Sequence, residues 1–596
     1  MSELSEIPIS PPPGVVKTDS LRVIEGRWSD TINMRFKQNL PQKIGGWIKG
    51  FAAATMGTPR TLHAWRDNNF NQYVAAGTFI KLYVYDSSLA QNDITPFAST
   101  GTLGANPFTT ALGSPNVTVS QTSHGVQPNQ IIDFAGSTAV GGITPNGTFT
   151  VSTVIDANTY MFKFTSNATS ATSGGGSAVT FEYEISPGVE IGTFGFGYGV
   201  GGYGLGTFGT ARTVSTITIE PRVWSEDHFG QILVATYNGG GVYSFDPTQD
   251  QPWPRATIVD SSAPTNCRAL FVTNERFVFA LLEGLQVAWP SQSTLNEWTP
   301  TISNTANVRT LTEGTKLVAG RVLADFVALV WSDAAVYLFQ YTGTAFIYAS
   351  SMAAKDCGLI GANAAITVGG IAYWAGQDNL WTYNGTVTPM PNVENIRKFI
   401  FDQIDINFGY TTVAIYNPKF NEVWFFFTII GETNPTIGVI YSIDLGCWAT
   451  LNFGRCGGTH FTQGDTAPYM GDPTTFLIFQ HEKTNDADGD ILPYSMTLAP
   501  YALSKGGKYN YEIEYFVPDF FDQIGDITLT LTAFDRVNDS VPLETEVENV
   551  TAIDSGTIDT RIGGRYVGLV ISNSSLGSYV RLGLPVAFVK TMGDRS

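Results

Sequence analysis

Ala372-Tyr-Trp-Ala-Gly-Gln-Asp-Asn-Leu-Trp-Thr-Tyr-Asn384 reads as a β-hairpin: an apolar strand, a small polar turn, an aromatic-rich second strand and a closing polar residue. The phrase recurs at Tyr73 to Asp86, Leu233 to Asp246 and Ala328 to Gln340, and more loosely at Phe277 to Trp289 and Val423 to Asp444. With turns at Gly77, Asn238, Gly284, Ser332, Gly376 and Gly431, the last five stand 44–55 residues apart. That is the period of a β-propeller blade, a small sheet that buries its faces only against its neighbours. Helical periodicity is nearly absent. The exception is Val393 to Ile404, where Ile396, Phe399, Ile400 and Ile404 share a face and Asn392 is placed to cap.

The first interval, 161 residues, exceeds one blade period by roughly 110. The stretch from Leu89 to Gly209 supplies the excess, and its composition turns Thr/Ser/Asn/Gly-rich with almost no Lys or Arg. Its alternating runs, such as Gly147 to Phe164, suit a small antiparallel barrel or sandwich. It ends in the glycine-aromatic tract Gly192 to Gly209, read as an irregular loop on this chain or a neighbour. Beyond Leu492 the blade pattern gives way to strands such as Tyr509 to Pro518 and Arg565 to Ser572. The expected fold is therefore all-β: a β-propeller at 51–88 and 210–491, an inserted β-domain with its tract at 89–209, a β-sandwich-like module at 492–596, and an extended arm at 1–50. The number of blades is left open. Strands of the terminal module are candidates for closing the ring.

The chain has 596 residues, only 14% of them charged, and a net charge of −19. Low charge with many aromatics excludes a disordered chain, and the acidic excess excludes a protein that clamps duplex DNA by its phosphates. The start lacks a basic region and an apolar run, so it predicts no signal peptide. No apolar run is long enough for a bilayer. Cys267, Cys357, Cys447 and Cys456 read as core thiols in a cytoplasmically assembled protein, although Cys447 and Cys456 are spaced to meet across a hairpin.

Motifs with chemistry are scarce. Gly197 to Gly202 matches a dinucleotide fingerprint, but no helix follows to receive a phosphate. Asp486, Asp488 and Asp490 alternate as calcium ligands do, but Gly489 is misplaced for an EF-hand and the closing Glu is missing, so a turn is expected and ion binding stays open. His63, His124, His228, His460 and His481 show no metal spacing. Trp331-Ser-Asp333 and Trp224-Ser-Glu-Asp227 begin like sialidase turns without completing them and are expected to pack blade turns. Arg27-Trp28 and Gly45-Gly-Trp47 are expected to anchor a core or an intersubunit contact. No catalytic, cofactor or metal residue is assigned, and no enzymatic activity is expected.

Pro12 to Ser20, Gly26-Arg-Trp-Ser-Asp30 and Met34 to Trp47 resemble the opening of tail proteins from short-tailed bacteriophages. The glycine-aromatic tract followed by Arg222 to Ala235, then Val287 to Trp298, and the ending Arg561 to Gly583 resemble the same group. His124-Gly125 and the Gly147 stretch are similar to small β-modules grafted into phage virion proteins. The resemblance implies a tail nozzle, also called tail tubular protein B or packaged-DNA stabilisation protein. Such a protein is a structural propeller in a hexameric ring of the virion tail, assembled in the host cytoplasm. It would meet a tail adaptor protein and tail fibres or a needle or plug, without entering a membrane. Double-stranded DNA would pass through transiently without specific binding. The alternatives are a receptor-binding or fibre-attachment propeller and a propeller glycosidase or lyase.

Overall fold

The computed structural model describes residues 4–17, 20–195, 217–344, 346–504, 507–551 and 556–594. Within them the hairpins quoted above are the middle strands of successive four-stranded antiparallel sheets. Blade 1 spans 61–93, blade 2 224–258, blade 3 267–310, blade 4 317–355, blade 5 365–389 and blade 6 413–451. Blade 7 takes three strands from 457–481 and its outermost strand, Trp47–Lys49, from the amino-terminal region. The innermost strands form a closed circle: Thr61–Arg66 of blade 1 lies between Trp224–Phe229 of blade 2 and Gly457–Thr459 of blade 7. The chain is thus a seven-bladed propeller, counted among the described residues. Its ring is closed by an early strand rather than by the terminal module.

Adjacent blades bury the apolar faces that the hairpins alternate outward. Trp65 and Tyr73 of blade 1 share a core with Trp224 and Leu233 of blade 2. Trp331 of blade 4 meets Trp374 of blade 5 with ring centroids 5.6 Å apart. All four cysteines are buried and free.

The insert departs from the outer edge of blade 1. Its sheet strands run from Phe97 to Glu184, so Gln91–Asp93, expected in the insert, instead completes blade 1. Eight antiparallel strands wrap a separate core of Phe108, Phe134, Tyr160 and Phe162. The long strand Gly147–Asp156 pairs with Ile131–Ala135 through its first half and with Thr159–Lys163 through its second. At the root, Lys81 Nζ lies 2.7 Å from Asp93 and 2.6 Å from Glu184, and Arg255 of blade 2 pairs with both carboxylates. From residue 196 the glycine-aromatic tract lies outside the described residues, as does the Gly197 fingerprint.

The described residues of the expected extended arm, 4–17 and 20–50, do not form one. Ser5–Pro8 and Trp28–Ile32 are strands of the carboxy-terminal sandwich, paired with Val586–Asp594 and Tyr494–Ala502. Met34–Lys37 and Leu40–Lys43 form a hairpin that joins a third sheet with Tyr579–Leu582. Trp47–Lys49 then crosses into blade 7. The physical reason is the shared core: Trp28, Met34, Phe36 and Trp47 pack with Trp424 of blade 6, Phe479 of blade 7 and Leu569 of the sandwich. Trp28 and Trp47 are therefore anchors within the chain. Gly46 is required by close approach, because a Cβ there would fall 1.8 Å from the Asp486 carbonyl oxygen.

Arg35 sits at the junction. Its guanidinium is fully buried, donates to both Glu482 oxygens and lies 3.4 Å from Glu422 Oε1. Burial alone would disfavour its charge, but Glu422 and Glu482 more than offset that. Burial pushes the Glu422 carboxyl up to about 7 despite Arg35, because one guanidinium serves two carboxylates.

The expected helix forms over Glu394–Phe401, with Ile396 and Ile400 buried. Its N-cap is Val393, with no side-chain cap, because Asn392 Nδ2 donates instead to the Gly446 carbonyl at 2.8 Å. Ile404 lies beyond the helix and bridges to Ile429.

Three measurements test this architecture. Arg35→Met strands two buried carboxylates and should lower unfolding free energy by about 3–5 kcal/mol in denaturant titration. Glu422 has a folded pKa near 7 against an ordinary 4.5, so its contribution is fully present below pH 4.5 and lost as pH rises through 7. The stability of Glu422→Gln relative to wild type should therefore increase across that window and be flat outside it. Phe97 and Glu184 are cross-strand partners, so replacing 98–183 with a short Gly/Ser linker should leave the propeller folded by circular dichroism. The excised 97–184 fragment should melt cooperatively on its own.

Candidate functional site

The seven innermost strands enclose an axial channel of about 560 Å³. Blade 1 contributes Arg60 to Ala64, blade 2 Ser225 to His228, blade 4 Arg321 and blade 7 Thr459 and His460, with blades 3, 5 and 6 filling the rest. Such a volume suits a small ligand. It cannot pass a duplex, whose major groove alone is about 12 Å wide.

At the blade 1–blade 2 seam the channel gathers His63, Asp227 and His228, the one group of three or more His, Cys, Asp or Glu among the described residues whose ligand atoms all lie within 4.8 Å. His63 Nε2 and His228 Nδ1 are 3.0 Å apart, and Asp227 Oδ1 lies 3.8 Å from the first and 3.4 Å from the second. The innermost strands place them. His63 is on Thr61–Arg66, and Asp227 and His228 are on Trp224–Phe229. Asp227 is fixed by the Val272 amide, which donates to Oδ2 at 2.8 Å, and by the His228 amide, which donates to Oδ1 at 2.8 Å.

Burial, helped by His228 and Arg321 and opposed by Asp227, lowers the His63 pKa to about 4. For His228 burial opposes charge, but the hydrogen bond to Asp227 and its carboxylate win and raise the pKa. His228 Nδ1 thus faces both Asp227 Oδ1 and His63 Nε2. Beside them burial pushes Glu226 up to about 7, only partly relieved by Thr61, whose hydroxyl donates to Oε1 at 2.9 Å. Arg321 faces the same space with its guanidinium tied to the Gly320 and Ala362 carbonyls. Two imidazoles and a carboxylate converging on one point can hold a divalent ion or share protons.

Sequence spacing missed this cluster because His63 and His228 are 165 residues apart and only ring closure joins them. The available signal was positional: each histidine lies one strand ahead of its blade's hairpin. Trp224-Ser-Glu-Asp227, expected in a turn, lies on an innermost strand, and Asp227 faces the channel. Trp331-Ser-Asp333 does pack a blade turn, where Asp333 Oδ1 accepts the Thr315 amide at 2.7 Å. His124 belongs to the insert and meets Tyr160 edge-on, while His481 is buried beside Arg455. The stretch Asp486 to Asp490 is a turn docked on Trp47: the Trp47 amide donates to the Asp486 carbonyl at 3.0 Å and the Asp488 amide to the Trp47 carbonyl at 2.9 Å. Its three carboxylates do not converge.

No family model matches the chain, and no curated protein matches it. Among solved structures it is similar to the phage phi92 endosialidase, at 10% identity over 72% of this chain and 64% of that one, with a TM-score of 0.19. It thus spans just under two thirds of that protein's length. It is also similar to the β-propeller domain of Cps50 (Swd1) from Myceliophteria thermophila, at 12% identity over 45% of this chain and 84% of that one, with a TM-score of 0.28. At these scores neither likeness bears on function, and the propeller rests on the strand pairing described above.

Proposed function

We propose that the chain is a structural protein of a bacteriophage tail, the nozzle subunit. Six copies form a ring that extends the DNA channel below the portal and adaptor, holds the packaged genome and opens for ejection. The reading starts from the sequence resemblance of the opening, middle and final segments. The observation that carries it physically is the direction of the positive charge. Against 52 Asp and Glu the chain has 33 Lys and Arg, and several of these are turned inward and paired. Arg35, Lys81 and Arg455 are all under a tenth exposed and joined to carboxylates. Arg268 is held by Glu220 and Glu283. With 52 acidic groups to 33 basic ones the chain as a whole repels a polyanion and grips it poorly. That is the property of a wall past which a polyanion slides.

The path of the DNA is then the space between subunits, since a single propeller's axial channel is too small. Contact between copies needs apolar surface with little charge at its centre. The outer strands of blades 3 and 4 carry exposed apolar side chains suited to it, Val308 and Met352. The chain acts without catalysis in this reading, meeting the adaptor at one end and fibres or a plug at the other. Electron cryomicroscopy of virions should place six copies on the tail axis, and Val308→Asp with Met352→Asp should prevent ring assembly while leaving the monomer folded. Density confined to peripheral fibres, or three copies per tail, overturns the proposal.

A further inference from the structure

We propose that His63, Asp227 and His228 bind one divalent ion of the zinc class, which pins blade 1 to blade 2 across the seam where the insert interrupts the ring. The geometry is that of a tetrahedral face. Bonds of about 2.0–2.1 Å to nitrogen and oxygen set a ligand–ligand edge of roughly 3.3–3.4 Å. The three observed separations, 3.0, 3.4 and 3.8 Å, bracket that edge. Small side-chain rotations would equalise them, with the fourth position facing the channel for water. Two imidazoles with one carboxylate select zinc, cobalt or nickel over magnesium or calcium, which favour all-oxygen sites. The Val272 amide on Oδ2 fixes the carboxylate from behind, leaving Oδ1 toward the rings.

The location gives the site a purpose. From blade 2 to blade 7 consecutive blades are joined by 5–9 residues, or by the 23-residue helical connection 390–412 between blades 5 and 6, but blades 1 and 2 are separated by residues 94–223. Ring closure at that seam depends on cross-blade contacts alone. These include Trp224 Nε1 donating to the Thr78 carbonyl at 2.9 Å and Trp65 Nε1 donating to the Gln231 carbonyl at 3.0 Å. The ligands come from both sides of it, so an ion would cross-link the two innermost strands. The Arg321 guanidinium in the same channel opposes a cation, although its donors are committed to carbonyls.

The test uses tag-free full-length protein, stripped with chelator and titrated with Zn²⁺. The expected result is one Zn²⁺ per chain by elemental analysis after dialysis, with a rise in thermal midpoint that Mg²⁺ does not reproduce. Cobalt should give the visible absorption of a four-coordinate site. His63→Ala and His228→Gln should each weaken Zn²⁺ binding at least tenfold and abolish the midpoint rise, while His124→Ala in the insert should change neither. Substoichiometric zinc in wild type, or unchanged affinity in folded variants, overturns the proposal. If His63→Ala fails to fold, His228→Gln and the cobalt spectrum of wild type decide it. These readouts are independent of tail assembly, so failure of the metal site and failure of the nozzle reading are distinguishable.

Discussion

A single buried guanidinium holds the three parts of this protein in register. Arg35 comes from the amino-terminal hairpin, Glu422 from blade 6 and Glu482 from the end of blade 7, and all three are under a tenth exposed. Both carboxylates face this one guanidinium, and removing it would leave them buried without a counter-charge. The group therefore fixes where the hairpin must sit. From that position the chain runs only a few residues to Trp47, which enters blade 7 beside His481 and under Arg455, 4.4 Å above its ring. Ring closure, sandwich docking and the path of the first 50 residues all follow from one placement. The shared core runs without a break from blade 6 to the last sheet strands.

What could be read from the sequence was local. The middle hairpins of blades 1 to 6 announce themselves because a turn and two apolar strands are contiguous. The innermost strands are not visible in that way. They are flanked by loops of varied length and are defined by their neighbours around the axis. Blade 7 escaped notice because Tyr469–Gly471 and Ile478–His481 are short and its fourth strand lies more than 400 residues earlier. Asn392 failed as a cap for a tertiary reason: a carbonyl from the turn before Cys447 was within its reach. The axial cluster was illegible for the same reason as the ring itself. Its members acquire a common address only when blade 1 and blade 2 are brought together.

The insert shows how a closed ring admits a foreign domain. Its first and last strands pair with each other, so the excursion begins and ends at one point on the rim. Lys81, Asp93, Glu184 and Arg255 tie that point to both flanking blades. Lys81 and Glu184 are nearly buried, so removing either would leave the other an unpaired buried charge. The same seam carries the histidine cluster on its inner edge. The ring is thus braced at the rim by ion pairs and at the axis by groups that share a proton or accept an ion.

This bracing accounts for the charge balance better than composition alone. A net charge of −19 drives a compact chain apart by self-repulsion. Here the cations are spent where that repulsion would do structural damage: at the hairpin junction, the insert root and the closure of blade 7. The acidic excess of the composition is left for the surface. Arginine and lysine turned inward bind the fold together, each facing carboxylates that would otherwise be buried without a counter-charge.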